Sequence, residues 1–294
     1  MKLIDVFNYS HEPIELLEMR LRIVYPHVDL ICINENATTY TGIEREIQFE
    51  KYKERLDPFM DKIVHRVIDT RERDLDFSTF QQEYHTNRDK SHPTRPATRG
   101  LPERWHRSMY GRDCLIESPL EVADDKDIII HGDLDEIPNP EFLKESKEIV
   151  KDGFIYTCLQ KFYMCSLNRL QTEGGKDVDS WRGCQFSTLK YIKDHNGFND
   201  SRNLPPEKGK EYLIENGGWH FSFLGGEEKI KQKLEGYGHQ EHNHDGVKNN
   251  LETNIKGNRD ILGRSWMGTR IVPIDEEFPD EIVNNQDKYM GFIE

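Results

Sequence analysis

Asp127-Ile128-Ile129-Ile130-His131-Gly132-Asp133-Leu134-Asp135-Glu136-Ile137-Pro138-Asn139-Pro140 is the stretch on which the reading of this chain turns. Three consecutive isoleucines between acidic turn residues and a glycine predict a buried strand of an α/β sheet. Three carboxylates, Asp133, Asp135 and Glu136, follow at once. Asn139 and Pro140 then supply an N-cap and a first helical position, where proline's missing amide costs nothing. The carboxylates therefore fall between a strand end and a helix start, the place where open α/β sheets bind ligands. Like charges so close call for a compensating cation or proton. An all-oxygen donor set suits Mg²⁺ or Mn²⁺ better than zinc. An isolated Asp-x-Asp is as readily a solvated turn; the apolar strand that delivers this one to a sheet edge favours the ligand reading.

Upstream, Leu3 to Phe7 predicts a short strand broken by Asp5. A helix follows with Pro13 in its first turn and Ile14, Leu17, Leu21 and Val24 at helical spacing. Val28 to Ile33 predicts the second strand, ending in Asn34-Glu35-Asn36. After Thr41-Gly42 comes a charged helix over about Glu44 to Arg55, then a third strand over Lys62 to Ile68. This alternation predicts a parallel sheet with right-handed crossovers. From Asp69 to Pro102 the chain is polar and carries Pro93, Pro96 and Pro102, which fits either a lid or binding loop or a plain surface loop. A helix over Glu103 to Glu117 sets Arg104, Arg107 and Arg112 among apolar residues and leads into the isoleucine strand.

Downstream, a helix is expected from Pro140 to Val150, and strands over Gly153 to Cys158 and Lys161 to Ser166. Gly174-Gly175 opens a polar loop, and Trp181 begins a strand ending near Ile192. Paired glycines bracket a short aromatic strand in Glu215-Asn216-Gly217-Gly218-Trp219-His220-Phe221-Ser222-Phe223-Leu224-Gly225-Gly226. Glycine permits close backbone approach to a ligand, and neutral imidazole is a competent metal ligand, although a hydrogen-bonded core histidine would look the same. After a helix over Glu227 to Leu234, Gly238-His239-Gln240-Glu241-His242-Asn243-His244-Asp245 fits a solvated turn better than a metal cluster. Phe278 to Phe292 predicts a closing helix. The chain is expected to form one domain over 1–294, with a nucleotide and metal half at 1–152 and an acceptor half at 153–294.

The 294 residues carry a net charge of −14, which argues against a nucleic-acid partner, since such binding rests on Lys and Arg. Five cysteines, Cys32, Cys114, Cys158, Cys165 and Cys184, are scattered without zinc-type spacing and read as reduced core residues. The N-terminus lacks the apolar run of a signal peptide, and no segment approaches the ~20 apolar residues of a membrane span. A cytoplasmic location is the expectation, under which the sequons at Asn8, Asn36 and Asn199 carry no weight. The sequence is silent on oligomeric state.

The apolar strand ending in Asp-x-Asp-Glu-Ile-Pro, together with Gly-Gly-Trp-His-Phe-Ser, resembles glycosyltransferase family 17, the β-1,4-mannosyl-glycoprotein 4-β-N-acetylglucosaminyltransferases that add the bisecting GlcNAc. Asn34-Glu35-Asn36 with Thr41-Gly42, the Arg112 helix, Gly238-His239-Gln240-Glu241 and Pro279 to Asn285 extend the likeness over most of the chain. The eukaryotic members carry an N-terminal membrane anchor. None is seen here, so a soluble microbial or viral relative is expected.

The resemblance implies a GT-A fold, with a Rossmann-like, mostly parallel central sheet flanked by helices. It also implies a nucleotide-sugar donor, by default UDP-GlcNAc, a Mn²⁺ or Mg²⁺ ion, inversion at the anomeric carbon, and a glycan or other hydroxyl acceptor. Asp133, Asp135 and His220 would hold the metal, and Asn34, Glu35, Gly42, Arg107, Arg112 and Trp219 the donor. Arg112, then Arg107, would pair bidentately with the diphosphate. Inversion needs a base, normally a carboxylate, with Glu241, Glu215 and Glu136 as candidates in that order. Two other functions are weighed. A haloacid-dehalogenase-type phosphohydrolase also sets Asp-x-Asp after a buried strand, but usually near the N-terminus and with Thr or Val where Ile137 stands. A non-catalytic carbohydrate-binding protein would equally use aromatic and acidic residues.

Overall fold

The computed structural model describes residues 1–69, 103–195, 197–203 and 207–294. The proposed lid over 70–100 lies outside the described residues. In chain order the first half holds β1 (Leu3–Tyr9), α1 (Ile14–Val24), β2 (Leu30–Asn36), α2 (Gln48–Lys51), α3 (Lys53–Leu56), β3 (Ile63–Ile68), α4 (Glu103–Asp113), α5 (Glu117–Val122), β4 (Ile128–Asp133), β5 (Glu136–Pro138) and α6 (Pro140–Ile149). The second half holds β6 (Ile155–Met164), β7 (Arg169–Glu173), β8 (Lys176–Asp177), β9 (Trp181–Thr188), α7 (Leu189–Asp194), α8 (Phe198–Asn203), β10 (Glu211–Ser222), α9 (Gly226–Gly236), α10 (Asp245–Lys248), α11 (Leu251–Lys256), β11 (Met267–Ile271) and α12 (Asp280–Asn284).

The strands join in one sheet of order β11-β7-β6-β9-β4-β1-β2-β3, with β10 pairing β5 and β6, and β8 pairing β7. From β4 through β1 and β2 to β3 every pairing is parallel, as the strand-helix alternation predicts. The expectation of a mostly parallel sheet is corrected beyond β4. Antiparallel pairing joins β4 to β9, β9 to β6, β6 to β7 and β7 to β11, and β10 beside β6 is the parallel exception. Short links such as the four residues between β6 and β7 cannot make the crossover that parallel strands require.

Successive residues of a strand face opposite sides, and the two sides of this sheet have separate cores. Leu3, Phe7, Ile31, Ile33, Ile128 and Ile130 pack with Leu17, Leu21 and Val24 of α1. Ile4, Val6, Cys32 and Ile129 pack on the other side with Leu115, Leu189, Ile192 and Phe198. Asp5 does not break β1. Its carboxylate, on the α1 side, accepts from Arg20 Nε at 2.9 Å and Nη2 at 2.7 Å, which satisfies the charge inside the core.

Other boundaries move for identifiable reasons. Asn34, Glu35 and Asn36 lie within β2, because the strand continues to pair with β3 as far as Asn36↔Ile68. The 44–55 helix shrinks to two single turns, and the 103–117 helix ends at Asp113 in a 3-10 turn over Cys114–Ile116. The two strands expected over 153–166 are the single β6, whose burial is nearly continuous. The strand from Trp181 stops at Thr188, whose hydroxyl caps α7 by accepting from Tyr191 N. The closing helix is α12 followed by a 3-10 stretch over Gln286–Phe292. Asn139 caps α6 as expected, its side chain accepting from Glu141 N at 3.0 Å. All five cysteines are free, four of them buried. Asn8, Asn36 and Asn199 of the three sequons are buried. No helix among the described residues is long and apolar enough to cross a membrane.

Candidate functional site

Asp133 closes β4, Leu134 and Asp135 make the turn, and Glu136 opens β5. Because β5 pairs antiparallel with β10 in the register His220↔Glu136, the turn lies against the aromatic strand, and Phe221 N donates to Asp135 O at 2.8 Å. Arg20 holds the same turn from below. Its Nη1 donates to the carbonyl oxygens of Asp133, Leu134 and Glu136 at 3.1, 3.2 and 2.8 Å. One buried arginine thus ties α1, β1 and the acidic turn together.

A cavity of about 520 Å³ opens over this turn. Its lining sets the charged groups Asp133, Asp135, Glu12, Arg112, Arg202 and Lys233 among the rings of Trp105, Phe162, Trp181, Phe223 and Tyr237, together with Gly238, His239 and His242. A separate cleft of about 850 Å³, with Trp219 and Lys161 in its wall, contains none of the acidic turn.

Asp133 is faced by two guanidinium groups, while Asp135 and Glu12 share Lys233. Arg112 Nη2 lies 3.3 Å from Asp133 Oδ1, and Arg202 Nη2 lies 3.9 Å from Oδ2. Burial would raise the Asp133 carboxyl, but the two guanidinium groups outweigh it and hold it below the usual carboxylate range. Asp135 is buried, with Lys233 Nζ at 3.0 Å and His220 Nε2 at 3.4 Å from Oδ2. There too burial is outweighed, by Lys233 and then His220, and the carboxyl is held far down. Lys233 is pushed up to about 12: burial opposes its charge, while Asp135 and Glu12 favour it more strongly. Burial, only partly countered by Lys233 and reinforced by Asp135, raises Glu12. Behind the turn, His131 is pushed down to about 3 by burial and then by Arg202 and Arg112, so it stays neutral.

The donors beside the acidic turn match a divalent cation in part. His220 stacks on Phe162, ring centres 4.4 Å apart, and its buried Nδ1 has no hydrogen-bond partner. Its Nε2 and Asp135 Oδ2 are spaced as neighbouring ligands of one ion could be, and Mn²⁺ accepts both donor types. Asp133, 42% exposed, is turned toward Arg112. Among the described residues no three His, Cys, Asp or Glu side chains already converge as a ligand set. Asp135 and His220 are therefore two donors that a divalent cation could share.

The remaining predicted residues are distributed unevenly. Glu35 is consumed by structure, its oxygens accepting from Gln48 N at 2.6 Å and Phe49 N at 3.0 Å to cap α2. Asn34 donates to Cys114 O. Gly42, at φ +89, allows Arg107 to lie against it, and Arg107 donates to Tyr40 O at the cavity edge. Trp219 faces away from His220 along β10 and donates to Glu277 O. Glu136 is buried and accepts from Asp133 N, Trp181 Nε1 and Arg202. Glu215 is exposed on β10 and lines none of the cavity. Glu241 lies on the rim, where its Oε1 meets His239 Nδ1 at 2.6 Å. Glu12, Arg202 and Lys233 were not singled out from sequence, since none carries a local pattern that marks it.

Residues 1–100 match the model of glycosyltransferase family 17. The match supports membership of that family and indicates a glycosyltransferase. It spans β1 to β3 and Glu12, and stops short of the Asp133 turn. No curated protein matches the chain.

Proposed function

We propose that this glycosyltransferase moves a sugar from a nucleotide sugar, by default GlcNAc from UDP-GlcNAc, to a hydroxyl of a glycan or other acceptor, with inversion, on a GT-A-like scaffold. The observation that carries the reading is the mixed lining of the cavity. Cations suited to a diphosphate stand beside the acidic turn, interleaved with aromatic rings suited to a sugar face. Asp135 and His220, with Asp133 close by, would hold Mn²⁺ or Mg²⁺. When bound, such an ion neutralises charge on the departing nucleoside diphosphate.

The chain's own groups do the rest. Arg112, which lines the cavity and is paired only loosely with Asp133, turns its guanidinium to a phosphate. Arg202 is held at the cavity wall by Glu136. His239 lines the cavity, and Glu241 orients it through Nδ1, so the acceptor hydroxyl's proton passes to Nε2 of His239. Glu136, buried and bonded three times, acts as a fixed support.

Thermal shift with a panel of nucleoside diphosphates and nucleotide sugars, with and without Mn²⁺, followed by release of nucleoside diphosphate, tests the proposal. A selective rise in melting temperature and donor turnover are expected. Release of inorganic phosphate from simple phosphomonoesters, or sugar binding with no donor turnover, would overturn it.

A further inference from the structure

Lys233 sits where a cation serving Asp135 would sit. Its Nζ is 3.0 Å from Asp135 Oδ2, 3.3 Å from Ser222 Oγ and 3.9 Å from Glu12 Oε1, and it lies 4.9 Å from the ring centre of Phe223. An ammonium has three donors, and three oxygens surround this one. The helix that carries it is anchored by the adjoining Ile230 and Leu234, both fully packed, so the backbone under Lys233 is fixed while its four-carbon stem can swing. The other two cavity cations are placed differently. Arg202 is bound to Glu136, and Arg112 faces the half-exposed Asp133. Lys233 alone of the three rests on the buried carboxylate that faces His220.

Resting on the reading that the cavity takes a nucleotide sugar with a divalent ion, we propose that Lys233 is a resident counter-cation. It neutralises Asp135 while the cavity lacks nucleotide, and releases that carboxylate to the incoming ion as its ammonium turns to the diphosphate. No bond is made or broken in the exchange; one cation replaces another. A metal ion arriving alone must displace the ammonium from Asp135, its nearest carboxylate, and leave it only the more distant Glu12. A metal ion arriving with a diphosphate gives the ammonium a new partner. Ion and nucleotide binding are thereby coupled, and each must strengthen the other by the same factor.

The test is a Mn²⁺ titration of the full chain, read from the electron paramagnetic resonance signal of the free ion, with and without UDP. Wild type, Lys233→Met and, as a variant retaining a polar end, Lys233→Gln are compared after thermal melts have shown which of them fold. Without UDP, the variants are expected to bind Mn²⁺ about tenfold more tightly than wild type, and UDP is expected to tighten Mn²⁺ binding more in wild type than in the variants. Equal Mn²⁺ affinity and equal coupling in wild type and variants would overturn the role of Lys233 while leaving the metal-dependent reading in place. UDP binding by wild type that neither needs nor recruits Mn²⁺ would overturn both.

Discussion

Glu136 and Arg202 form a buried ion pair at the wall of the cavity, with side chains 1% and 11% exposed. The same carboxylate takes the Asp133 amide at 3.1 Å and the Trp181 indole at 3.0 Å, so it fixes a cation, an aromatic wall and the acidic turn at once. Removing one partner of such a pair leaves a buried charge unmatched, which costs about 3–5 kcal/mol. Glu136→Gln should therefore lower the urea midpoint and reduce turnover together, while the acid limb of the pH–rate profile stays where it was. A variant with wild-type stability, no turnover and no acid limb would make Glu136 the proton acceptor instead.

Arg112 and Arg107 stand one helical turn and a residue apart on α4, yet only Arg112 lines the cavity. A charge-assisted contact to phosphate contributes roughly 1.5–3 kcal/mol, or about 10- to 150-fold in affinity. Arg112→Ala should raise the donor KM by that factor and erase most of the UDP-induced thermal shift with little change in the melting temperature of the free protein. Arg107→Ala, which frees the space against Gly42, should act on stability and leave KM within about twofold, because most changes away from a binding site move affinity little. The reverse ranking in calorimetric titrations with UDP would reassign the diphosphate contact.

The parts of this molecule legible in the sequence are those with local periodicity. Ile128 to Ile130 announces β4, and Asn139-Pro140 announces the start of α6. What could not be read is pairing across distance. Asp5 looked like a strand breaker because its partner, Arg20, is two turns into the following helix, among other charged residues. Lys233 has Lys229 and Lys231 as sequence neighbours, and nothing but the packing of α9 selects it for the cavity. Arg202 lies in a six-residue polar helix that the chain's periodicity does not reveal. Trp219 is different. Strand alternation already places it opposite His220, and that signal outranks its aromatic character as a guide to which cavity it serves.

Gly218 allows β10 to pass against β5. At φ +132 its backbone is one that side chains rarely adopt, and a Cβ there would lie 2.1 Å from Ile137 O and 2.9 Å from Asn139 N. The obstruction is backbone on both counts, so no rotamer change relieves it. Register between β10 and β6 also shifts just before it, between Ile214 and Gly218. Gly218→Ala should cost several kcal/mol, of the order of 3 or more, and move His220 away from Asp135 even where the chain still folds. Gly209, at φ +79 with open space around a Cβ, is the control: its alanine variant carries backbone strain without a clash and should lose only about 1 kcal/mol. Chemical denaturation of the two variants should separate them clearly; equal losses would show that the close approach at Gly218 is not what requires glycine.

His11 makes the acid side of the stability curve predictable. It packs against the backbone of Gly236, and its Nε2 is buried without a hydrogen-bond partner. Burial first, then the positive charges of Arg45, Lys233 and Lys229, push it down to about 3 from an ordinary value of 6.5. The folded state keeps the ring neutral where the unfolded chain protonates it. Between those two values the unfolded state binds more protons, so stability rises with pH; the contribution is complete above 6.5 and drains away as pH falls toward 3. Each pH unit in that window is worth up to about 1.4 kcal/mol for this one group. His11→Phe removes the titration and should flatten the dependence, so that the stability of the variant relative to wild type improves by about 2 kcal/mol between pH 7.5 and pH 5. Urea unfolding at the two pH values gives the difference directly, with the many carboxylates cancelling because both proteins carry them. A relative stability that does not move with pH would mean that His11 protonates in place, and that the wall between the cavity and α9 opens to water.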